Sequence, residues 1–118
     1  MNYPENARRV IQLEIDELQR LHARLDGAFT QAIERLLTCI ESRSKIVVCG
    51  VGKSGSIGHK LSATLNSTGA TTVLLNVGDA LHGDLGVIDP GDLAILLSYS
   101  GETSELLNLL PHLKRFGT

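Results

Sequence analysis

Three short apolar runs, set apart by helical patterns, constrain the fold of this chain more than any other feature. The runs span residues 46–49, 72–75 and 93–97, and each is continuously apolar or β-branched. Such runs are typical of strands buried on both faces, because the helices that connect parallel strands cover both sides of the sheet. The sequence therefore predicts a three-layer α/β fold with a parallel sheet and right-handed connections.

The part of the chain before the first run has a helical pattern. Apolar residues recur there in steps of three and four, which predicts two helices separated at Asp26-Gly27. The apolar positions of the first series are Ile11, Ile15, Leu18, Leu25 and Phe29, and those of the second are Phe29, Ile33, Leu36, Leu37 and Ile40. We predict one domain over residues 1–118, made of helices within 1–45 and a strand–helix core over 46–118.

Two further helices are expected after the first strand. One has Ile57, Leu61 and Leu65 on one face and is expected to end at Gly69. The other is expected over residues 103–110, with Pro111 kinking or restarting it.

The composition argues against several classes of protein. A chain of 118 residues with 42% apolar and 20% charged residues is typical of one globular domain. Its net charge of −2 gives no basic surface for nucleic acid or an anionic membrane. We find no apolar run that could cross a bilayer and no apolar core of a signal peptide at the start. Cys39 and Cys49 are expected to pack in the core without a disulfide, so we predict a cytoplasmic protein.

A glycine-rich segment, GVGKSG, joins the first strand to the third helix. Gly50, Gly52 and Gly55 match the G-x-G-x-x-G pattern of dinucleotide sites, but the second strand ends in Asn76, where that pattern expects an acidic residue. The segment also resembles a Walker A motif, which requires a glycine where Val47 stands. Three interpretations remain open: a phosphate site, a dinucleotide-binding fragment, and a tight turn with a solvated lysine.

The segment after the third strand, SYSGET, carries three aliphatic hydroxyl groups at the start of a helix. Ser98, Ser100 and Thr103 surround Gly101, and successive backbone N–H groups follow them. Helix N-termini bind anions because these N–H groups have no acceptor within the helix. A capping role would need only one hydroxyl, so we favour a small phosphorylated ligand.

Three motifs in order resemble the sugar isomerase (SIS) domain family: GVGKSG at 50–55, LHGDLG at 81–86 and SYSGETSE at 98–105. Lys53 together with HGDLG resembles the arabinose 5-phosphate isomerases in particular. The resemblance implies a flavodoxin-like or Rossmann-like parallel sheet. It also implies a missing C-terminal part, since a full SIS domain continues with two more strands and a further active-site histidine. In these isomerases a pair of CBS domains usually follows.

The resemblance implies a role for each residue that matches the motifs by position. The phosphate-binding residues would be Gly52, Ser54, Ser98, Ser100, Gly101 and Thr103. The catalytic residues would be Lys53, His82 and Glu105. We predict no metal and no cofactor. The other histidines, His22, His59 and His112, are expected at the surface or at an interface.

The implied reaction interconverts D-ribulose 5-phosphate and D-arabinose 5-phosphate through an enediol, for Kdo and lipopolysaccharide biosynthesis. It requires a base and a group that polarises the carbonyl oxygen. Glu105 is the candidate base, Lys53 would stabilise negative charge on oxygen, and His82 would shuttle a proton. The roles of Glu105 and His82 can be exchanged. Each also has a structural alternative, because acidic residues favour the first turn of any helix and a histidine can occupy a plain surface loop.

A module that senses a sugar phosphate without converting it is the alternative function. Lys53, His82 and Glu105 together favour the enzyme, because a sensor requires only the phosphate-binding residues. The apolar face of the first helix has no evident partner in so small a domain, so we predict a homo-oligomer, a dimer or a tetramer. We expect sugar-phosphate binding by this chain with weak or absent isomerase activity, and no nucleic-acid or membrane partner.

Overall fold

A computed structural model describes residues 2–80 and 82–117 of the chain, apart from the side chain of Asp84. The chain divides into two compact units, one up to Ile33 and the other from Glu34 onwards. The single domain over residues 1–118 stays a prediction. None of the helices in the described residues is both long and apolar enough to cross a membrane.

Two helices begin the chain, α1 (Tyr3–Arg24) and α2 (Gly27–Glu41). Asn2 caps α1, because its side-chain oxygen accepts a hydrogen bond from the backbone N–H of Glu5. The predicted break at Asp26-Gly27 is confirmed. No residue of α1 is buried. The large aliphatic side chains exposed along this helix are Val10, Ile11, Leu13, Ile15, Leu18 and Leu21.

A parallel sheet of three strands forms the centre of the second unit. Its strands are β1 (Ile46–Gly50), β2 (Thr72–Leu75) and β3 (Leu93–Leu97), in the order β2-β1-β3. The remaining elements are α3 (Lys53–Ser67), α4 (Val77–Ala80), a 3-10 helix (Asp84–Val87) and α5 (Ser104–Arg115). The predicted α/β fold with its parallel strands is confirmed, with β1 one residue longer than expected.

The residues of β1 alternate between two hydrophobic clusters, one on each face of the sheet. Val47 and Cys49 belong to the cluster formed with α4 and α5, which also contains Val77, Ala80, Leu106, Leu109 and Leu113. Ile46 and Val48 belong to the cluster formed with α2 and α3, together with Leu36, Cys39, Leu65 and Ala70. The central strand is therefore covered on both faces, which gives three layers. Cys39 and Cys49 are buried and free, as expected.

The expectation that all three strands are buried on both faces holds for β1 and is wrong for the two edge strands, β2, whose Leu74 is exposed, and β3. Residues 46–49 of β1 are all buried, whereas all five residues of β3 are only partly buried. The central strand has a neighbour on each side. By contrast, β3 lies at the edge of the sheet, with β1 as its only partner among the described strands. Strand order, which an apolar run does not encode, decides this difference.

One expectation about α3 is also wrong. Ile57 does not lie on the buried face, because it is 64% exposed, and the buried residues of α3 are Gly58 and Ser62. A Cβ on Gly58 would lie 3.1 Å from Cγ1 of Val48. The glycine thus lets α3 approach β1 closely, and this contact sets which side of the helix faces the sheet.

The helix does not restart at Pro111, since α5 is one helix through that residue, and a kink there stays a prediction. Leu106, Leu109 and Leu113 are all buried against the sheet and lie on both sides of the proline. Packing of this face outweighs the hydrogen bond that proline cannot donate.

Asp92 joins the amino ends of β1 and β3. Its side chain accepts hydrogen bonds from the backbone N–H groups of Lys45 and Asp89, at 2.9 and 2.8 Å, and lies 2.7 Å from Lys45 Nζ. Burial by itself raises the pKa of Asp92, but the hydrogen bonds from Lys45 and Asp89 outweigh it and hold the pKa below its ordinary value. The cluster is at the edge of the sheet opposite the loops that follow β1 and β3.

Candidate functional site

The register of the sheet brings the two predicted phosphate-binding segments together. The last paired residues of β1 and β3 are Gly50 and Leu97. The glycine loop (residues 50–55) and the hydroxyl loop (residues 98–103) therefore leave the same edge of the sheet from neighbouring strands. Helices α3 and α5 begin within or directly after these loops, and their first N–H groups have no acceptor within the helix. This edge is suited to binding an anion.

The glycine loop turns tightly from β1 into α3. A Cβ on Gly50 would lie 2.8 Å from the backbone N of Gly55 and from backbone atoms of Ser54. A Cβ on Gly55 would lie 2.9 Å from the carbonyl oxygen of Gly50. No side chain fits at either position unless the backbone moves. The first turn of α3 is therefore held against the end of β1, with its N–H groups at the edge of the sheet.

The hydroxyl loop is held by its own side chains. Ser98 Oγ lies 2.8 Å from Thr103 Oγ1 and accepts a hydrogen bond from the backbone N–H of Gly101 at 2.9 Å. Ser100 Oγ accepts one from the backbone N–H of Glu102 at 3.1 Å. The Ser100 hydrogen, and one of the two hydroxyl hydrogens of Ser98 and Thr103, stay available to a ligand. Thr103 makes no side-chain capping bond to α5, so its hydroxyl does not serve as a helix cap.

A pocket of about 410 Å³ opens beside the glycine loop, at the carboxyl ends of β1 and β2. Gly52 and Gly55 form part of its wall. Its polar side chains come from three different elements: His59 of α3, Asn76 after β2, and Glu105 of α5. An imidazole, an amide and a carboxylate around one pocket can bind a polyhydroxylated ligand and exchange protons with it.

Gly52 and Glu105 are the predicted site residues that line this pocket. Lys53 is exposed at the first position of α3, and His82 is exposed in the turn after α4. Neither is part of the pocket wall as far as the chain is described. Leu81, the first residue of the LHGDLG motif, lies outside the described residues. The catalytic roles of Lys53, His82 and Glu105 stay predictions, as do the phosphate-binding roles.

His59 and Asn76 line the pocket although their sequence pattern did not single them out for the site. His59 is exposed, as expected, but it lies one helical turn after Gly55 on the same side of α3. Asn76 directly follows β2, at the end of the strand where parallel sheets bind ligands. The sequence carries a signal for each residue. His59 is four residues after Gly55, and Asn76 is a polar residue directly after a strand.

The described residues offer neither a reactive thiol nor a metal-binding cluster beside the glycine loop. Cys49 is fully buried next to the loop, and burial raises the pKa of its thiol to about 11. The thiol is therefore protonated at neutral pH and is a poor nucleophile. No group of three or more His, Cys, Asp or Glu side chains in the described part of the chain is placed to hold a metal ion.

Residues 39–118 match the sequence model of the SIS domain. The chain belongs to the SIS domain family. The glycine loop, the pocket and the hydroxyl loop all lie within the matched SIS domain.

Relatives of this SIS domain are similar over nearly the whole chain. Arabinose 5-phosphate isomerase KpsF of Escherichia coli is 42% identical over 113 residues, which are 95% of this chain and 35% of that protein. Arabinose 5-phosphate isomerase KdsD of Pseudomonas aeruginosa is 41% identical over 117 residues, which are 99% of this chain and 35% of that protein. The chain thus spans about a third of the length of the curated relatives it matches.

Solved structures share the fold of the SIS domain. A protein of Listeria monocytogenes has a TM-score of 0.88 and 35% identity, over 100% of this chain and 62% of the other. The protein c3406 of E. coli CFT073, solved in complex with arabinose 5-phosphate, has a TM-score of 0.80 and 38% identity, over 100% of this chain and 63% of the other.

Proposed function

We propose that this SIS domain binds a sugar phosphate and takes part in the interconversion of D-ribulose 5-phosphate and D-arabinose 5-phosphate. The observation that carries the proposal is the pairing of Gly50 with Leu97, from which the glycine loop and the hydroxyl loop leave neighbouring strands, beside a pocket lined by the carboxylate of Glu105. The names of the relatives, and a related structure solved with arabinose 5-phosphate, support the same substrate. The proposed setting is Kdo and lipopolysaccharide biosynthesis in the cytoplasm.

The phosphate group is proposed to bind between the glycine loop and the hydroxyl loop. The N–H groups at the starts of α3 and α5 and the available hydroxyl hydrogens would donate to its oxygens, and such bonds to a charged acceptor are strong. The residues assigned to the phosphate are Gly52, Ser54, Ser98, Ser100, Gly101 and Thr103. No nucleobase or metal is needed for this binding mode.

Glu105 is the proposed base of the isomerisation. It lies on the pocket wall in the first turn of α5, and one carboxylate oxygen accepts a hydrogen bond from Ser104 Oγ at 3.0 Å. The carboxylate would take the proton from C2 of the aldose and return it to C1, which passes through the enediol. In the reverse direction the proton moves from C1 to C2.

Lys53 and His82 are proposed to act on the oxygens of the substrate. The ammonium group of Lys53 would stabilise the negative charge that develops on oxygen in the enediolate. His82 would move a proton between the two oxygens or during ring opening. Both side chains are exposed. The roles of His82 and Glu105 can still be exchanged.

Deuterium exchange tests the proposal. The chain is incubated with arabinose 5-phosphate in D₂O, and the C2 proton is followed by NMR together with the appearance of ribulose 5-phosphate. We expect saturable binding and slow loss of the C2 proton signal, because removal of this proton is the step that forms the enediol. Binding without any exchange would contradict formation of the enediol by this chain, whether or not ribulose 5-phosphate accumulates, and would favour the sugar-phosphate sensor. Absence of binding would contradict both functions.

We further propose that the chain forms a homo-oligomer, a dimer or a tetramer, through α1. The six large aliphatic side chains exposed on this helix would be buried in such a contact. Analytical ultracentrifugation at micromolar concentration should show a species larger than a monomer. Ile11→Glu with Leu18→Glu should dissociate it, whereas Gln12→Glu with Gln19→Glu places the same charges at polar positions and should not. A monomeric wild-type chain would contradict the proposal.

A further inference from the structure

The side chain of Asn76 has a defined orientation in the pocket wall. Its Oδ1 accepts a hydrogen bond from the backbone N–H of Gly78 at 2.9 Å. A backbone N–H can only donate, so the atom it meets must be the amide oxygen. The Nδ2 group, which carries two hydrogens, makes no hydrogen bond to the protein among the described residues. Asn76 therefore presents a donor that no described residue of the chain uses.

Asn76 also lies between two hollows at the same edge of the sheet. One is the pocket of about 410 Å³ that contains Glu105. The other, of about 580 Å³, is bounded by Asn76, Asp79 and Gly83, and Gly83 is the residue next to His82. A ligand that extends from Glu105 towards the turn of His82 would pass Asn76. The amide is thus placed along the path between two of the proposed catalytic groups.

His59 faces the same pocket from α3. It lies one helical turn after Gly55, and both residues line the pocket. Unlike the loops that follow β1 and β3, this part of the wall offers a neutral amide and an imidazole. Such groups match hydroxyl and carbonyl oxygens better than they match a phosphate.

We infer that Asn76 and His59 form the part of the site that binds the sugar, and that they set its specificity for the carbon chain attached to the phosphate. Nδ2 of Asn76 donates to a sugar oxygen, and the imidazole of His59 exchanges a hydrogen bond with a neighbouring hydroxyl. The phosphate stays on the two loops. This inference rests on the proposed function, because it assumes that the ligand is a sugar phosphate.

The test compares arabinose 5-phosphate with inorganic phosphate by titration calorimetry on the 118-residue chain. The ratio of the two affinities measures what the sugar contributes, and it is insensitive to general damage of the phosphate site. Asn76→Ala removes the whole amide. Asn76→Asp keeps an oxygen for the N–H of Gly78 but removes the Nδ2 donor. Asn108→Ala, at an exposed position of α5 outside the pocket, is the matched control.

We expect the affinity ratio to fall roughly tenfold in Asn76→Ala and in Asn76→Asp, as for one lost hydrogen bond, and to stay unchanged in Asn108→Ala. The added negative charge of Asn76→Asp lowers the affinities for both phosphate ligands, so its effect cancels in the ratio of the two affinities. His59→Ala should lower the ratio roughly fivefold, and His22→Ala on α1 should not.

Two outcomes would overturn the inference, and they differ in what else they contradict. If wild type prefers arabinose 5-phosphate and the Asn76 and His59 variants keep that preference, only the inference is wrong. The first outcome is also expected if Asn76 only supports the fold. In that case Asn76→Ala would lower the affinities for both ligands equally, and the affinity ratio of Asn76→Asp would equal that of wild type. If wild type binds both ligands equally well, the proposed function fails, and the inference fails with it.

Discussion

Gly50 and Leu97 are the last paired residues of the neighbouring strands β1 and β3. This single register relation places the glycine loop beside the hydroxyl loop, although most of α3, β2, α4, the 3-10 helix and β3 separate the two in sequence. Ligands of parallel sheets gather at the carboxyl ends of the strands, between loops that leave adjacent strands. The Gly50–Leu97 pair is thus the structural basis of the proposed phosphate site.

The tight turn at Gly50 should not accept a side chain. Gly50→Ala would place a Cβ 2.8 Å from backbone atoms of Ser54 and Gly55, so α3 has to move away from β1. We expect the free energy of unfolding to fall by about 1 to 3 kcal/mol, the usual cost of overpacking, as measured by urea unfolding. Gly27→Ala, where a Cβ meets nothing within 4 Å, is the control. Equal midpoints of urea unfolding for Gly50→Ala and wild type would contradict the tight turn described at Gly50.

The hydroxyl loop should carry much of the phosphate affinity. Ser100→Ala combined with Thr103→Ala removes two hydroxyl groups at the start of α5. The affinity for arabinose 5-phosphate should fall by about 1 to 3 kcal/mol for each lost bond to the charged phosphate, as measured by titration calorimetry. Thr64→Ala, an exposed hydroxyl on α3, should have no effect. Unchanged affinity in the double variant would remove this loop from the phosphate site.

Glu105 should be needed for proton transfer but not for binding. Glu105→Gln keeps the size of the side chain and removes the base, so exchange of the C2 proton should slow by roughly a hundredfold or more. Binding of arabinose 5-phosphate should persist. Glu41→Gln, an exposed carboxylate at the end of α2 outside the pocket, is the matched control. Normal exchange in Glu105→Gln would make His82 the next candidate for the base.

The positive charge of Lys53 should increase the rate at which the C2 proton of the substrate exchanges. Lys53→Ala removes the ammonium group proposed to stabilise the enediolate, so exchange of the C2 proton should also slow by roughly a hundredfold. Lys60→Ala, on an exposed position of α3 further from the loop, controls for a general change of surface charge. Equal rates in Lys53→Ala and wild type would show that the enediolate is stabilised by another group.

Asp92 should stabilise the fold in a pH-dependent way. Its pKa in the folded chain lies below the ordinary value of 3.8, so its contribution is complete above that value and is lost as the pH falls through the folded pKa. At neutral pH, Asp92→Asn should lower the free energy of unfolding by about 1 to 3 kcal/mol, because one of the two buried oxygens that accept from backbone N–H groups becomes a donating NH₂ group. The difference from wild type should shrink in urea unfolding experiments below about pH 4.

The control for this cluster is Asp89→Asn. The side chain of Asp89 is 74% exposed, so its pair with Lys45 should contribute less than about 1 kcal/mol. Equal losses in Asp89→Asn and Asp92→Asn, or a difference between wild type and Asp92→Asn that does not depend on pH, would contradict the assigned role of Asp92.

The sequence by itself determined the local elements of this protein. The apolar runs of β1, β2 and β3 and the helical periodicity around them predicted the α/β class, because such patterns depend on local geometry. The glycines at 50, 52 and 55 and the hydroxyls around Gly101 likewise marked the two loops, since tight turns and helix starts require particular residue types.

Only the tertiary structure decided which elements lie side by side. The order β2-β1-β3 made β1 fully buried over residues 46–49 and left β3 partly exposed, although their runs are equally apolar. The contact of Gly58 with Val48 turned Ile57 towards solvent, and the ends of β1 and β2 brought His59 and Asn76 to one pocket with Glu105. Hydrophobic periodicity indicates which face of a segment is buried, but it does not identify the elements that cover that face. Long-range packing of the connecting helices decides which strands are neighbours in a parallel sheet.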